Sequence, residues 1–183
     1  MTVLPDVLAP DLAVVFCGTA VSAASALRGA YYAGPGNAFW PTLFKVGLTP
    51  RLFAPEEYRD LTRYGLGLTD IVKTASGADH SLSDEHFDSA RLRKAVLKYR
   101  PRVLAFTSKR AAREFVGHRV DYGVLSEEVG ETTLFVLPSP SGAARRYWSE
   151  EPWRELARLR AAANRGSAAE PRLASDAPQA ARR

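Results

Sequence analysis

The feature that most constrains the fold is a series of short, nearly continuous apolar runs separated by segments with helical spacing. The first run covers residues 12–16 (LAVVF) and is followed by Gly18, and later runs lie at 66–72, 103–106 and 133–137. Such short runs without polar alternation are typical of strands buried on both faces. Because these runs alternate with amphipathic helical segments along the chain, we predict a three-layer α/β fold with a mainly parallel central sheet of four or five strands.

Apolar residues at helical spacing fill the segments between these runs. We predict helices at 21–27, 38–46, 55–61, 85–99, 109–116 and 152–163. Glycine or proline follows several of them, as expected where a helix ends. The predicted order therefore alternates strands and helices along most of the chain.

The length of 183 residues fits one compact domain with a tail. Residues 1–10 contain Pro5 and Pro10 and are expected to form a loose lead-in to a domain at 11–165. Residues 166–183 are rich in alanine, proline and serine, with one leucine as their only large apolar side chain. That composition cannot bury enough surface to order the segment, so it predicts a flexible tail.

Composition and charge exclude several classes of protein. No uncharged apolar run approaches the roughly 18 residues that a membrane span needs, and no basic region precedes the first apolar stretch as in a secretory signal. We therefore expect no membrane partner. One cysteine and three histidines argue against a structural zinc site, so we also expect no metal. The net charge of +5 favours a polyanionic partner without identifying it.

Residues that can carry chemistry follow the ends of the predicted strands. Gly18-Thr19-Ala20-Val21-Ser22 follows the first, Thr69-Asp70 lies near the second, and residues 138–142 (PSPSG) follow the last. Ligands of open α/β sheets bind beyond the carboxyl ends of the strands, so these segments predict a site there. Neither the GxGxxG fingerprint nor the P-loop motif is present, which excludes both common nucleotide-binding loops.

Five segments, in order and spacing, resemble the mismatch-specific uracil-DNA glycosylases and thymine-DNA glycosylases. They are FCGTAVSAAS, YYAGPGNAFW, YGLGLTDIVK, RVLAFTSK and LPSPSG, within residues 12–160. The resemblance implies the uracil-DNA glycosylase fold and a monofunctional enzyme that flips uracil out of DNA and hydrolyses its N-glycosidic bond without a cofactor. Uracil in U:G mismatches is the expected substrate, with U:A pairs and single strands as further candidates. It also implies a monomer that acts on double-stranded DNA in the bacterial cytoplasm, at the nucleoid.

The same resemblance implies roles for individual residues. Tyr32 is expected to stack under the flipped base, and Asn37 to order the pocket. The backbone around Gly18, Thr19, Ala20 and Ser22 is expected to bind the pyrimidine edge. The expected DNA-contacting set comprises an intercalation loop with its neighbouring arginine, and the lysine after the third strand: Ser139, Pro140, Ser141, Gly142, Ala143, Ala144, Arg145 and Lys109.

Ala20 departs from the family pattern. The best-known members carry there the asparagine of Gly-Ile-Asn-Pro-Gly, which positions the attacking water, whereas alanine offers no hydrogen bond. A bacterial subset with GTA in place of GIN looks closer to this chain, and it implies a catalytic aspartate instead. Asp79 matches that subset's loop aspartate and is ranked first, and Asp70 lies closer to the predicted strand end.

Structural roles remain open for these residues at this stage. Either aspartate could bond its own backbone in a turn, and Tyr31 or Tyr32 could be a core aromatic. Loss of the water-positioning asparagine also leaves a non-catalytic module that recognises uracil or abasic DNA. A nucleotide-metabolism enzyme acting on free nucleosides is the third reading.

Overall fold

The computed structural model describes residues 2–77 and 81–168, with side chains of the last helix described to Ala163. Its sheet has five strands: β1 (Val14–Gly18), β2 (Leu66–Asp70), β3 (Val103–Phe106), β4 (Gly123–Val129) and β5 (Thr132–Val136). The strand order is β2-β1-β3-β5-β4, and all neighbouring pairs are parallel except β4 with β5. The predicted three-layer fold with a mainly parallel sheet is confirmed.

Helices cover both faces of this sheet. They are α1 (Ala23–Arg28), α2 (Phe39–Lys45), α3 (Ser89–Tyr99), α4 (Lys109–Val116) and α5 (Glu151–Ala168), with 3-10 helices at Pro55–Tyr64, Asp84–His86 and Gly142–Tyr147. Successive side chains of β1 point to opposite faces, so Phe16 packs with α2 and α5 while Val15 packs with α3 and α4. The result is two apolar cores, one on each side of the sheet.

Strand β4 is the element that the sequence did not predict. It lies at the sheet edge and alternates between half-buried and exposed residues in its centre, where Ser126, Glu127 and Glu128 are polar. An edge strand with one solvated face carries no continuous apolar run. The apolar-run criterion therefore found β1, β2, β3 and β5 and overlooked this strand.

Several helix boundaries differ from the predictions. Helix α3 begins at Ser89 rather than 85, because the Asp88 side chain caps it by accepting a hydrogen bond from the Arg91 amide at 2.8 Å. The segment predicted as a helix at 55–61 is a 3-10 helix that continues to Tyr64. Helix α5 extends to Ala168, so the start of the predicted tail is helical, and residues 169–183 lie outside the described residues.

The first ten residues are not the loose lead-in that the prolines suggested. Val7 and Leu68 exchange backbone hydrogen bonds of 2.8 and 2.9 Å in an antiparallel bridge, so the segment covers the outer edge of β2. Leu4 and Val7 are buried in the first core. This packing carries Asp6 to the vicinity of the β2 carboxyl end.

Within the described ranges, no helix is long and apolar enough to cross a membrane.

Candidate active site

A cavity of about 690 Å³ opens at the carboxyl edge of the sheet. The register explains its position, because Gly18 at the end of β1 pairs with Asp70 at the end of β2, and Cys17 pairs with Phe106 of β3. The loops after these strands and after β5 therefore meet at one edge. The predicted site residues that line the cavity are Gly18, Thr19, Ala20, Ser22, Tyr32, Asn37, Asp70, Ser139, Pro140, Ser141, Ala143 and Ala144.

The remaining predicted residues lie elsewhere. Gly142 packs against the backbone of Pro35 and Gly36, and Arg145 is exposed with its guanidinium beside Gly36. Lys109 lies outside the cavity wall, where its ammonium pairs with Asp121 at 3.0 Å. Asp79 lies outside the described residues, so its predicted role stays a prediction.

Tyr32 forms one wall of the cavity through an unusual backbone conformation. Its φ of 53° places the backbone of Tyr32 in the left-handed region, which residues other than glycine seldom adopt. The ring stacks on Phe39 with a centroid distance of 3.9 Å, and the hydroxyl lies 3.2 Å from Oγ1 of Thr107. Burial raises the pKa of Tyr32, and the nearby Asp70 raises it further, so the phenol stays neutral.

The sequence left open which of Tyr31 and Tyr32 is a core aromatic, and in the structure it is Tyr31. Its side chain belongs to the core, packs on Tyr58 and donates a hydrogen bond to the Pro5 carbonyl at 3.2 Å. Tyr31 also lines the cavity, but Tyr32 is the partly exposed ring of the pair. Of the two, Tyr32 is therefore the ring available to a ligand.

The sequence did not predict the cavity residues that follow β3. Thr107 and Ser108 follow β3 directly, and Ser108 Oγ lies 3.0 Å from Oγ1 of Thr19. The rule that drew attention to the ends of the first and last strands applies equally to β3 and would have found both. Together with Thr19, they give the cavity hydroxyl groups that can donate or accept hydrogen bonds.

Asn37 orders the loop at the cavity mouth. Its Oδ1 accepts a hydrogen bond from the Phe39 amide at 2.9 Å, next to the ring that supports Tyr32. The following residue, Ala38, donates its amide to the Pro140 carbonyl at 2.8 Å. The loop before α2 and the loop after β5 are thus joined at the entrance.

Among the described residues that line this cavity, Asp70 carries the carboxyl group. Asp70 is 3% exposed, and its Oδ2 is buried without a hydrogen-bond partner among the described residues. Burial raises the pKa of Asp70 to about 7, although the cations Lys73 and Arg91 lower it and Asp6 raises it. A carboxyl whose Oδ2 has no partner among the described residues, and whose pKa is near neutrality, is suited to accepting a proton.

Gly18 makes room for that carboxyl. A Cβ at Gly18 would collide with Oδ1 of Asp70 and lie 3.4 Å from the Tyr32 hydroxyl. The Asp70 and Tyr32 side chains therefore converge above the Gly18 backbone. Only glycine leaves this approach open.

Among residues 2–77 and 81–168, no group of three or more His, Cys, Asp or Glu side chains could hold a metal ion.

A family model for the uracil DNA glycosylase superfamily matches residues 5–162, which is most of the chain. The chain belongs to the uracil DNA glycosylase superfamily. It is similar in structure to a candidate uracil DNA glycosylase from Methanosarcina acetivorans, solved by NMR in solution. The two are 25% identical with a TM-score of 0.59, and the match covers 86% of this chain and 96% of the other. Membership and structural likeness together support a DNA glycosylase role, with DNA as the partner.

Proposed function

We propose that this chain is a monofunctional uracil-DNA glycosylase that acts on U:G mismatches and uses Asp70 as its catalytic carboxylate. The observation that carries the proposal is the buried Oδ2 of Asp70, which has no partner in the described part of the chain and lies in a cavity walled by an aromatic ring and hydroxyl groups. Of the two aspartates considered from the sequence, Asp70 is the one with this support. The mismatch-specific and thymine-DNA glycosylase resemblance provides the choice of U:G as the substrate.

The reaction requires the base to leave the duplex, because its C1′ atom is inaccessible within the stack. The cavity supports this step, since Tyr32 offers a ring braced by Phe39 for stacking. The hydroxyls of Thr19 and Ser108 are available for the polar edge of a pyrimidine. Residues 139–144 lie at the entrance, where an intercalating loop would take the place of the extruded base.

In the hydrolysis, the bond between C1′ and N1 breaks and its electron pair leaves with uracil. Water forms the new bond to C1′, and the Asp70 carboxylate accepts the proton that the water loses. The same negative charge stabilises the positive charge that develops on the sugar, as carboxylates do in glycoside hydrolysis. Donors facing uracil O2 stabilise the departing anion.

This mechanism accounts for Ala20. The methyl group of Ala20 cannot position a water molecule, but Ala20 and Asp70 line the same cavity. A carboxylate with a pKa of about 7 both orients water and accepts its proton, so it replaces the asparagine of the better-known members.

The test is the release of free uracil from a labelled duplex with one U:G mismatch, at an excess of enzyme. A matched C:G duplex controls for non-specific hydrolysis, and U:A duplex, single strand and free deoxyuridine define the range. We expect release from U:G and none from C:G or deoxyuridine. No release from any uracil-containing DNA would overturn the proposal.

The other outcomes identify the alternatives. Tight, salt-dependent binding to uracil or abasic DNA without base release would indicate a non-catalytic binding module. Cleavage of deoxyuridine without cleavage of DNA would indicate a nucleoside hydrolase.

A further inference from the structure

A cluster of charged side chains lies beneath the cavity, on the side of Asp70 that faces the N-terminal segment. Asp6 accepts hydrogen bonds there from Thr69 Oγ1 at 2.7 Å and Arg91 Nη1 at 2.9 Å, and it forms an ion pair with Lys73 Nζ at 2.8 Å. These donors come from the end of β2, the loop after it and α3. Asp6 therefore connects three elements around the base of Asp70.

Both cations of the cluster adjoin Asp70. Arg91 donates from Nη2 to the Asp70 backbone carbonyl at 2.6 Å, and Lys73 is only 8% exposed. Lys73 directs its ammonium to Asp6 and to the Tyr31 hydroxyl, at 2.8 and 2.9 Å. The carboxylate of Asp6 thus forms ion pairs with both Lys73 and Arg91. Oδ2 of Asp70 has no partner among the described residues.

We propose that Asp6 is a positioning residue for the reaction: it holds Lys73 and Arg91 and so keeps the Asp70 carboxylate free for water and substrate. The inference rests on the proposed function of Asp70, and it assigns a role to the N-terminal segment that packs along β2. Asp6 acts through Asp70 and does not touch the substrate.

The physical reason is the cost of a buried cation without a counter-ion. Without Asp6, Asp70 is the remaining carboxylate beside Lys73 and Arg91 in the described part of the cluster, so they would pair with it. The described titratable and charged groups around Asp70 are Asp6, Lys73, Arg91, Tyr31, Tyr32 and Cys17. Loss of the Asp6 charge therefore lowers the pKa of Asp70 and occupies its free oxygen.

The experiment measures single-turnover uracil release against pH for wild type and four variants. Asp6→Asn is expected to lower the midpoint of the profile by about one pH unit and the plateau rate by about 10- to 100-fold. Asp11→Asn is the matched control, because Asp11 directly follows the same segment, and its exposed ion pair with Arg100 is remote from the cluster. We expect it to behave as wild type.

Lys73→Met and the double variant Asp6→Asn/Lys73→Met complete a cycle. Lys73→Met should raise the midpoint, because Arg91 is then the one remaining cation of the described cluster that opposes Asp6. Adding Asp6→Asn to Lys73→Met should return the midpoint to near the wild-type value, since one charge of each sign has been removed. Comparison of Lys73→Met with the double variant measures the effect of Asp6 on the midpoint even if Asp6→Asn alone does not fold.

NMR titration of the Asp70 carboxyl in the free protein provides a readout that needs no activity. The same order of pKa values is expected: Asp6→Asn lowest, Lys73→Met highest, and the double variant near wild type. Failure of wild type to release uracil would refute the proposed function while leaving this titration interpretable. Equal Asp70 pKa values with and without Asp6, in both backgrounds, would overturn the inference.

Discussion

Asp70 combines burial, two neighbouring cations and an oxygen without a described partner. Burial alone disfavours the carboxylate, and here it outweighs Lys73 and Arg91, so that the pKa rises to about 7. At neutral pH, protonated and ionised forms are both populated. The side chain can therefore accept a proton during the reaction and lose it again afterwards.

This pKa predicts the pH dependence of the reaction. The active form is the carboxylate, so the single-turnover rate should rise about tenfold per pH unit below pH 7 and level off above it. Single-turnover release of uracil between pH 5 and 9 measures the profile, with duplex integrity checked at each pH. A flat profile, or a midpoint near pH 4, would show that a buried carboxyl of this kind is not rate-determining.

The sequence could name the site residues better than it could rank them. Asp70 and Asp79 both fitted, because a linear pattern places each near a strand end and gives no measure of burial. The surroundings of Asp70 depend on long-range contacts, because the side chains of Asp6 and Arg91 are remote from it in the sequence. For the same reason, the role of Asp6 was not predictable from a segment that looked like a loose lead-in.

At the scale of elements, the junction of β1 with β2 determines the space at the site. Gly18 and Asp70 are register partners at the ends of these strands, and the missing side chain of Gly18 leaves room for the Asp70 carboxyl. The site is thus set by strand pairing as well as by loop conformation.

Gly18→Ala should therefore reduce the rate of uracil release by about 100-fold, because the new methyl group displaces the carboxyl. It should also cost about 1–3 kcal/mol of unfolding free energy, as overpacking does. Gly34→Ala is the control, since its Cβ would meet Ser22 and Ala24 at ordinary contact distances of 3.7 and 4.0 Å. Single-turnover rates and thermal melts of both variants provide the measurement.

The same substitution in an Asp70→Asn background separates the two explanations of a loss. If Gly18→Ala acts through Asp70, it should add little to the loss already present. A further 100-fold decrease there, or an unchanged rate for Gly18→Ala in the wild-type background, would contradict the account.

Strands buried on both faces were predictable from the sequence, whereas a strand with one solvated face and the start of a helix were not. The interior strands carry apolar residues on both faces, so their runs are visible in the sequence. Strand β4 has one solvated face, and the start of α3 depends on a capping side chain at Asp88. Both are set by local detail that an apolar pattern does not record.

For the whole molecule, the parallel sheet brings four strand ends to one cavity, and the chain around it carries a net charge of +5. A positive charge favours approach to DNA without selecting a sequence. Arg145 and Arg146 are exposed beside the loop at the entrance, where they are available to phosphates. We expect the loop and these arginines to position the duplex, and the cavity to carry out the chemistry.

The central claim is that hydrolysis depends on the Asp70 carboxylate, and it is tested most directly by comparing wild type with Asp70→Asn. The measurement is the single-turnover rate of uracil release from a U:G duplex, together with the Kd for a duplex whose 2′-fluoro-deoxyuridine resists cleavage. The account predicts a rate lower by about 100- to 10,000-fold with the Kd nearly unchanged. A variant that releases uracil at the wild-type rate would contradict it.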